Sequence, residues 1–260
     1  MNLDAASLAI LWPAFIAGLL VTATHVPLGM QVLARGIVFI DLAVAQIAGV
    51  GVILADFFGW EPQGVAVQVA ALSAALAGAL FLTWTERRWP EVQEAIIGVV
   101  FVLAASVALL LLASNVHGGE HLKDLLLGQI LWVSPERLPL QSLIAATILA
   151  LWYGLGARVG RAGFYVLFAC AVTASVQLVG LYLVFATLVI PALATYYNQG
   201  RRYLKAYLVG LIGYSLGLAG SAATDLPSGA MIVCALALTG GAVAWLGRRG
   251  RAQAAFDRFR

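Results

Sequence analysis

The sequence predicts an all-α fold, a polytopic bundle of about eight or nine transmembrane helices forming one domain over residues 1–260. Three observations carry this prediction. Only 10% of the residues are charged and 62% are hydrophobic, whereas a soluble domain carries about 25% charged residues. The apolar residues fall into charge-free runs long enough to cross a bilayer. The basic residues gather in five clusters between alternate runs. So few charges cannot cover a water-soluble surface of this size, which excludes an ordinary cytosolic enzyme and a disordered chain. The net charge of +3 forms no basic patch, which excludes nucleic acid as a partner and leaves lipid as the expected surroundings. Cys170 and Cys234 lie in apolar runs and make neither a ligand cluster nor a disulfide framework.

The runs follow in order. Residues 5–34 form the first, after a Met-Asn-Leu-Asp start that lacks the basic region and cleavage site of a secretory signal. Its helix is expected to end near Gly29, with His25 four residues earlier. Residues 36–55 form the second, interrupted only by Asp41; 62–85, 95–119 and 138–157 are the next three. Each is close to the ~20 residues that cross the hydrocarbon core. Residues 162–200 stay uncharged for 39 residues, about 58 Å as one continuous helix and too long for a single crossing. Gln177 and Gly180 near the middle predict two short helices with a break around 177–180; the count is nine crossings, or eight if one half does not span. Residues 206–224 and 226–247 complete the set. The period-two alternation of a β-barrel is absent.

Arg35, Arg87/Arg88, Arg158/Arg161, Arg201/Arg202/Lys205 and Arg248/Arg249/Arg251 are separated by two crossings each, so the positive-inside rule places all five in the cytoplasm. The amino terminus and the loop at about 115–137 then lie outside. Ala71, Ala74, Ala75 and Gly78 make one small-residue face, and Gly213, Gly217 and Ser221 another. Such faces let membrane helices approach closely, within a chain or across a dimer.

The chemistry resides in few residues. A Gly-Lys-Ser/Thr phosphate loop is absent, so the chain does not itself hydrolyse ATP by that route, and there is no Gly-x-Ser-x-Gly elbow. His117-Gly-Gly-Glu120-His121 matches the letters of an H-x-x-E-H zinc protease motif. Its paired glycines oppose the helix that motif requires, at about 1 kcal/mol each. It also reads as a polar external loop, or as a place where metal enters. Asp41 lies six residues past Arg35, about 9 Å into the membrane if the chain is helical. An ionisable group there is costly unless paired or hydrated, so it marks an ion or substrate path. If the first helix ends at Gly29, His25 reaches a comparable depth. A carboxylate and an imidazole meeting in a wet cavity suit Zn²⁺, Mn²⁺ or Fe²⁺. Gln46, about 140° around the helix from Asp41, is a weaker candidate ligand.

Four segments carry a resemblance. They are Arg35-Gly-Ile-Val-Phe-Ile-Asp41-Leu-Ala-Val-Ala45-Gln46, Asp124-Leu-Leu-Leu-Gly-Gln-Ile-Leu-Trp-Val133, Val176-Gln-Leu-Val-Gly through Val-Ile-Pro191-Ala-Leu-Ala-Thr195, and Asp225-Leu-Pro-Ser-Gly-Ala. In order and spacing they resemble the membrane-spanning permease subunits of zinc- and manganese-type ABC importers. The resemblance implies a type II importer fold in a bacterial inner membrane. It also implies a homodimer, a cytoplasmic ABC ATPase that uses ATP, and a periplasmic metal-binding protein. A divalent metal ion is then the substrate, with no permanently bound cofactor. Residues of about 191–204 would couple to the ATPase, with Pro191, Thr195, Asn198, Arg201 and Arg202 as the candidates and a short interfacial helix after Pro191. In the family the Asp of the first segment is followed four residues later by a metal-site His; here that position is Ala45. His25 or Gln46 would then rebuild the site beside Asp41, and His117, Glu120 and His121 are the candidates at metal entry. A permease for a metal chelate, an intramembrane metalloprotease using His117, Glu120 and His121, and a stand-alone ion-driven carrier are the rival readings.

Overall fold

The computed structural model describes residues 5–60, 64–112, 130–197 and 200–257. The described residues form α1 (Ala5–Arg35), α2 (Ile40–Phe57), α3 (Val65–Arg88), α4 (Gln93–Leu112) and α5 (Leu138–Leu155). They continue with α6 (Gly160–Val179), α7 (Leu181–Ala194), α8 (Arg202–Thr224) and α9 (Ser228–Asp257). Eight of these are long and apolar enough to cross a membrane. The exception is α7, whose 14 residues reach only about 21 Å. The long uncharged run is therefore one full crossing plus one short helix, and among the described residues the lower of the two expected counts is the observed one. The break falls at Gly180, whose φ of 83° no β-carbon-bearing residue adopts comfortably. Gly180 and its neighbours Val179 and Leu181 are buried. Non-helical backbone at membrane depth survives where protein rather than lipid surrounds it.

The first helix does not end at Gly29. It continues to Arg35 and closes with Gly36 at φ 70°, where Ile37 N–H bonds the Val32 carbonyl and Gly36 N–H the Leu33 carbonyl. That pair of bonds is a glycine-terminated helix cap. Gly29 serves a different purpose: a Cβ there would overlap the Leu188 carbonyl on α7. Pro27 also lies within α1 and leaves the Ala23 carbonyl without its intrahelical donor; the Tyr207 hydroxyl of α8 donates to it at 3.3 Å.

The basic clusters gather at one end of the bundle. Arg35 pairs with Glu86 at the end of α3 (3.9 Å) and lies 4.2 Å over the Phe164 ring near the start of α6. Trp152, near the end of α5, packs against the same ring. Ala206, one turn into α8, packs with Val26 and Met30 of α1 and Ala192 of α7. Gly240 of α9 abuts Ile190 of α7. This convergence is the arrangement the positive-inside reading expects.

At that end Gln93 joins three helices. Its Nε2 donates to the Leu82 carbonyl at 3.0 Å and to the Tyr165 hydroxyl at 3.4 Å, and Thr85 donates to its Oε1 at 3.0 Å. Replacing Gln93 by Leu strands these buried groups. The expected loss is about 1–3 kcal/mol, read as a lower unfolding temperature in detergent.

The centre of the bundle is α6 and α7, each buried over most of its length. Along one side α1 packs on α5, α6, α7 and α8; along the other α2 packs on α3, α4, α6 and α7. Both small-residue faces are consumed within the chain. Gly51 of α2 meets Ala70 and Ala74, and Gly78 meets Ile47. Gly213 meets Leu236, and Gly217 meets the backbone of Ile232 on α9. Neither face is left for a dimer seam.

Candidate functional site

Asp41 is the second residue of α2, with no exposed surface, and neither carboxylate oxygen has a hydrogen-bond partner. Residues 36–39 form a turn rather than a helical continuation of α1. The helical-rise estimate from Arg35 therefore does not apply, and Asp41 stands in the first turn of α2, near the basic end. There it meets the positive end of the helix dipole, a contribution of about 0.3–1 kcal/mol. That is small beside the several kcal/mol an unpaired buried charge costs.

His25 lies ten residues before the end of α1, about 15 Å along the axis. It therefore does not share the depth of Asp41, because α1 runs on past Gly29. His25 is fully buried. Its Nδ1 is 3.0 Å from the Val21 carbonyl and 3.0 Å from Thr24 Oγ1. A carbonyl only accepts, so the ring proton sits on Nδ1 and leaves a lone pair on Nε2. Nε2 is buried without a partner. A histidine that donates one ring N–H to a backbone carbonyl and offers the other nitrogen has the arrangement common among metal-binding imidazoles. Along α1, Gly18 faces Tyr214, Thr22 faces Gly210 and Gly29 faces Leu188. His25 belongs to the same stripe and so to the side of α7 and α8. Thr22 Oγ1 on that stripe is also buried without a partner, while Thr187 and Tyr214 bond each other at 2.9 Å.

His25 and Asp41 do not meet: no hydrogen bond or ion pair joins them, and α1 and α2 each pack on α6 and α7 rather than extensively on each other. Gln46 is half-buried and Ala45 buried. Among the described residues no group of three or more His, Cys, Asp and Glu could hold a metal ion. His117, Glu120 and His121 lie outside the described residues, as does Asn198.

Pro191 falls inside the last turn of α7, so residues 191–194 continue that helix and do not start a new one. Residues 195–197 are a turn. Thr195 is fully buried and closes the helix by donating to the Pro191 carbonyl at 2.8 Å. Arg201 takes a left-handed conformation (φ 50°) at the entry to α8. Arg202 lies 5.7 Å over the exposed ring of Tyr196.

Thr22 and Glu94 attracted no attention as sequence. Pro27 held the usable signal, since a proline in a membrane helix exposes a carbonyl and so marks where a neighbour must donate.

Eight described helices long and apolar enough to cross a bilayer, with an unpartnered acid and an imidazole Nε2 without a partner buried among them, define a multi-pass membrane protein. The sequence profile of the ABC 3 transport family matches residues 7–155 and 149–244, and the chain belongs to that family. As a member of that family it is a transport permease subunit rather than an enzyme. The uncharacterized membrane protein slr2045 of Synechocystis sp. is 27% identical over an alignment of 242 positions, covering 85% of this chain and 84% of that protein. The fold is similar to PsaBC from Streptococcus pneumoniae, solved in complex with Fab, with a TM-score of 0.72, 19% identity, and 92% and 90% of the two chains covered. It is also similar to a transporter assigned to the metal-chelate ABC type in an inward-facing conformation, with a TM-score of 0.65, 15% identity, and 94% and 90% covered.

Proposed function

We propose that this permease carries a divalent transition-metal ion, Zn²⁺, Mn²⁺ or Fe²⁺, through the bacterial inner membrane into the cell. Two copies form the path. A cytoplasmic ATPase docks on the segment of about 191–204, with Asn198, Arg201 and Arg202 as the candidate contacts, while buried Pro191 and Thr195 shape the end of α7 beneath it. A periplasmic binding protein delivers the ion to the external loop at about 115–137, where His117, Glu120 and His121 are its first candidates. The ion is the substrate, and no cofactor stays bound.

The observation that carries the reading is Asp41, an acid buried in the membrane-spanning bundle with no partner on either oxygen. Stability does not account for such a group, and a passing cation does. His25 offers a second donor, with Gln46 a weaker third. These donors do not assemble into one site in the single chain. A carrier must release its ion, so a site completed only in passing is chemically reasonable for alternating access.

The test is uptake into vesicles holding the permease, its ATPase and its binding protein, with a panel of divalent ions. ATP-dependent accumulation of one or more transition metals is expected. Uptake of none, or uptake independent of the ATPase, sinks the reading. Within that assay His25→Ala is expected to lower Zn²⁺ uptake more than Mn²⁺ uptake, because imidazole favours zinc and carboxylate alone suits manganese. Equal losses for both ions would remove His25 from the path.

A further inference from the structure

We propose that Glu94 is a positioning residue for Asp41: it caps the amino terminus of α2 from the neighbouring helix and so sets where the Asp41 carboxylate stands. The inference rests on the reading of Asp41 as a path residue.

The first four N–H groups of any α-helix lack intrahelical acceptors. Ser, Thr, Asp or Asn usually supplies one from the preceding position. The residue before α2 is Phe39, and α2 has no side-chain cap of its own. The Phe39 N–H instead donates to Glu94 Oε1 at 3.2 Å, across 55 residues of sequence. Glu94 lies in the first turn of α4, so the positive ends of two helices converge on it. These two helices pack against each other along the bundle.

Asp41 sits two residues beyond the capped Phe39 amide, in the same helical turn. It makes no hydrogen bond of its own. No hydrogen bond on its side chain fixes its position, so the backbone turn and the packing around it do so. Glu94 is half-buried, with its Oε2 also unpartnered, so its remaining lone pairs add no competing anchor. Loss of the cap loosens the first turn of α2 and displaces the Asp41 carboxylate with it.

The experiment compares the reconstituted transporter carrying Glu94→Ala, Glu94→Asp or Glu94→Gln with wild type, using Zn²⁺ and Mn²⁺ as probes. Amide hydrogen exchange over residues 37–41 is measured on the detergent-purified permease. Gln keeps an acceptor oxygen at the same reach and discards the charge. The expected result is an apparent KM raised about tenfold in Glu94→Ala with kcat little changed, a size common when a group orienting a ligand is lost. Exchange over 37–41 becomes faster in the same variant. Glu94→Gln restores both to near wild type, and Glu94→Asp, one methylene short, falls between. If Glu94→Ala does not fold, the Asp and Gln variants carry the same comparison.

A fall in kcat or yield with KM and exchange unchanged overturns the proposal, since that is a packing effect. Glu94→Gln as damaging as Glu94→Ala overturns it too, since the charge and not the cap would then matter. If wild type carries neither ion, the transport reading fails. The exchange measurement still decides whether Glu94 holds the α2 terminus.

Discussion

Asp41→Asn is expected to abolish metal uptake in reconstituted vesicles while leaving the unfolding temperature of the permease unchanged or higher. The substitution keeps the shape of the side chain and removes its charge. No structural contact is lost, because neither carboxylate oxygen has a partner to lose. The one favourable term, the α2 dipole, is about 0.3–1 kcal/mol and rarely exceeds ~2. Against it stands the larger cost of holding a carboxylate away from water. Neutralising such a group is therefore neutral or stabilising, by up to about 2 kcal/mol. An acid retained for stability would show the opposite pattern. Full ATP-dependent uptake in the variant would remove Asp41 from the path. Loss of uptake with a lower unfolding temperature would make the carboxylate a structural element.

A single methyl at Gly29 is expected to be severely destabilising, by about 3 kcal/mol or more. Its Cβ would overlap the Leu188 carbonyl oxygen and come 2.9 Å from the carbonyl carbon. A flexible side chain can swing out of the way; a helix backbone cannot. The α1–α7 contact must open, and His25, one turn from Gly29, is carried with it. Gly29→Ala should therefore lower both the yield of folded permease and its unfolding temperature. Gly98→Ala is the control: nothing lies within 4 Å of a Cβ there, and alanine in a helix interior is worth about 1 kcal/mol over glycine. Equal behaviour of the two variants would refute the close approach.

Much of the fold was legible because lipid imposes few solutions. A chain without charge for about 20 residues must cross as helix, and the clustered arginines orient it. The break at Gly180 was legible for a related reason: 39 uncharged residues do not fit in one crossing. The end of α1 was not. Gly29 and Gly36 look alike as letters, and only the neighbour of each shows which closes a helix and which admits another backbone. That error carried His25 to the wrong depth. The proline segment at 191 misled in the same way, since a buried Pro191 continues α7 where the letters suggested a separate interfacial helix.

The candidate site divides similarly. Asp41 stood out from the letters alone, as the lone acid in an apolar run. The roles of Glu94 and Tyr207 depend on partners dozens to hundreds of residues away, such as the 184 residues between Tyr207 and Ala23. Such pairings leave no trace in local composition.

By itself the sequence determined that this protein lives in a membrane, that it crosses eight or nine times and which residue there is chemically out of place. These follow from solvation, which acts on each segment separately. Tertiary structure alone decided that both small-residue seams close within the chain. It also decided that α1 runs on past Gly29 and leaves His25 at a different depth from Asp41, and that α4 supplies the cap α2 lacks. Those are matters of which surfaces meet, and contact between helices is set by shape and by pairing of buried polar groups across the whole chain.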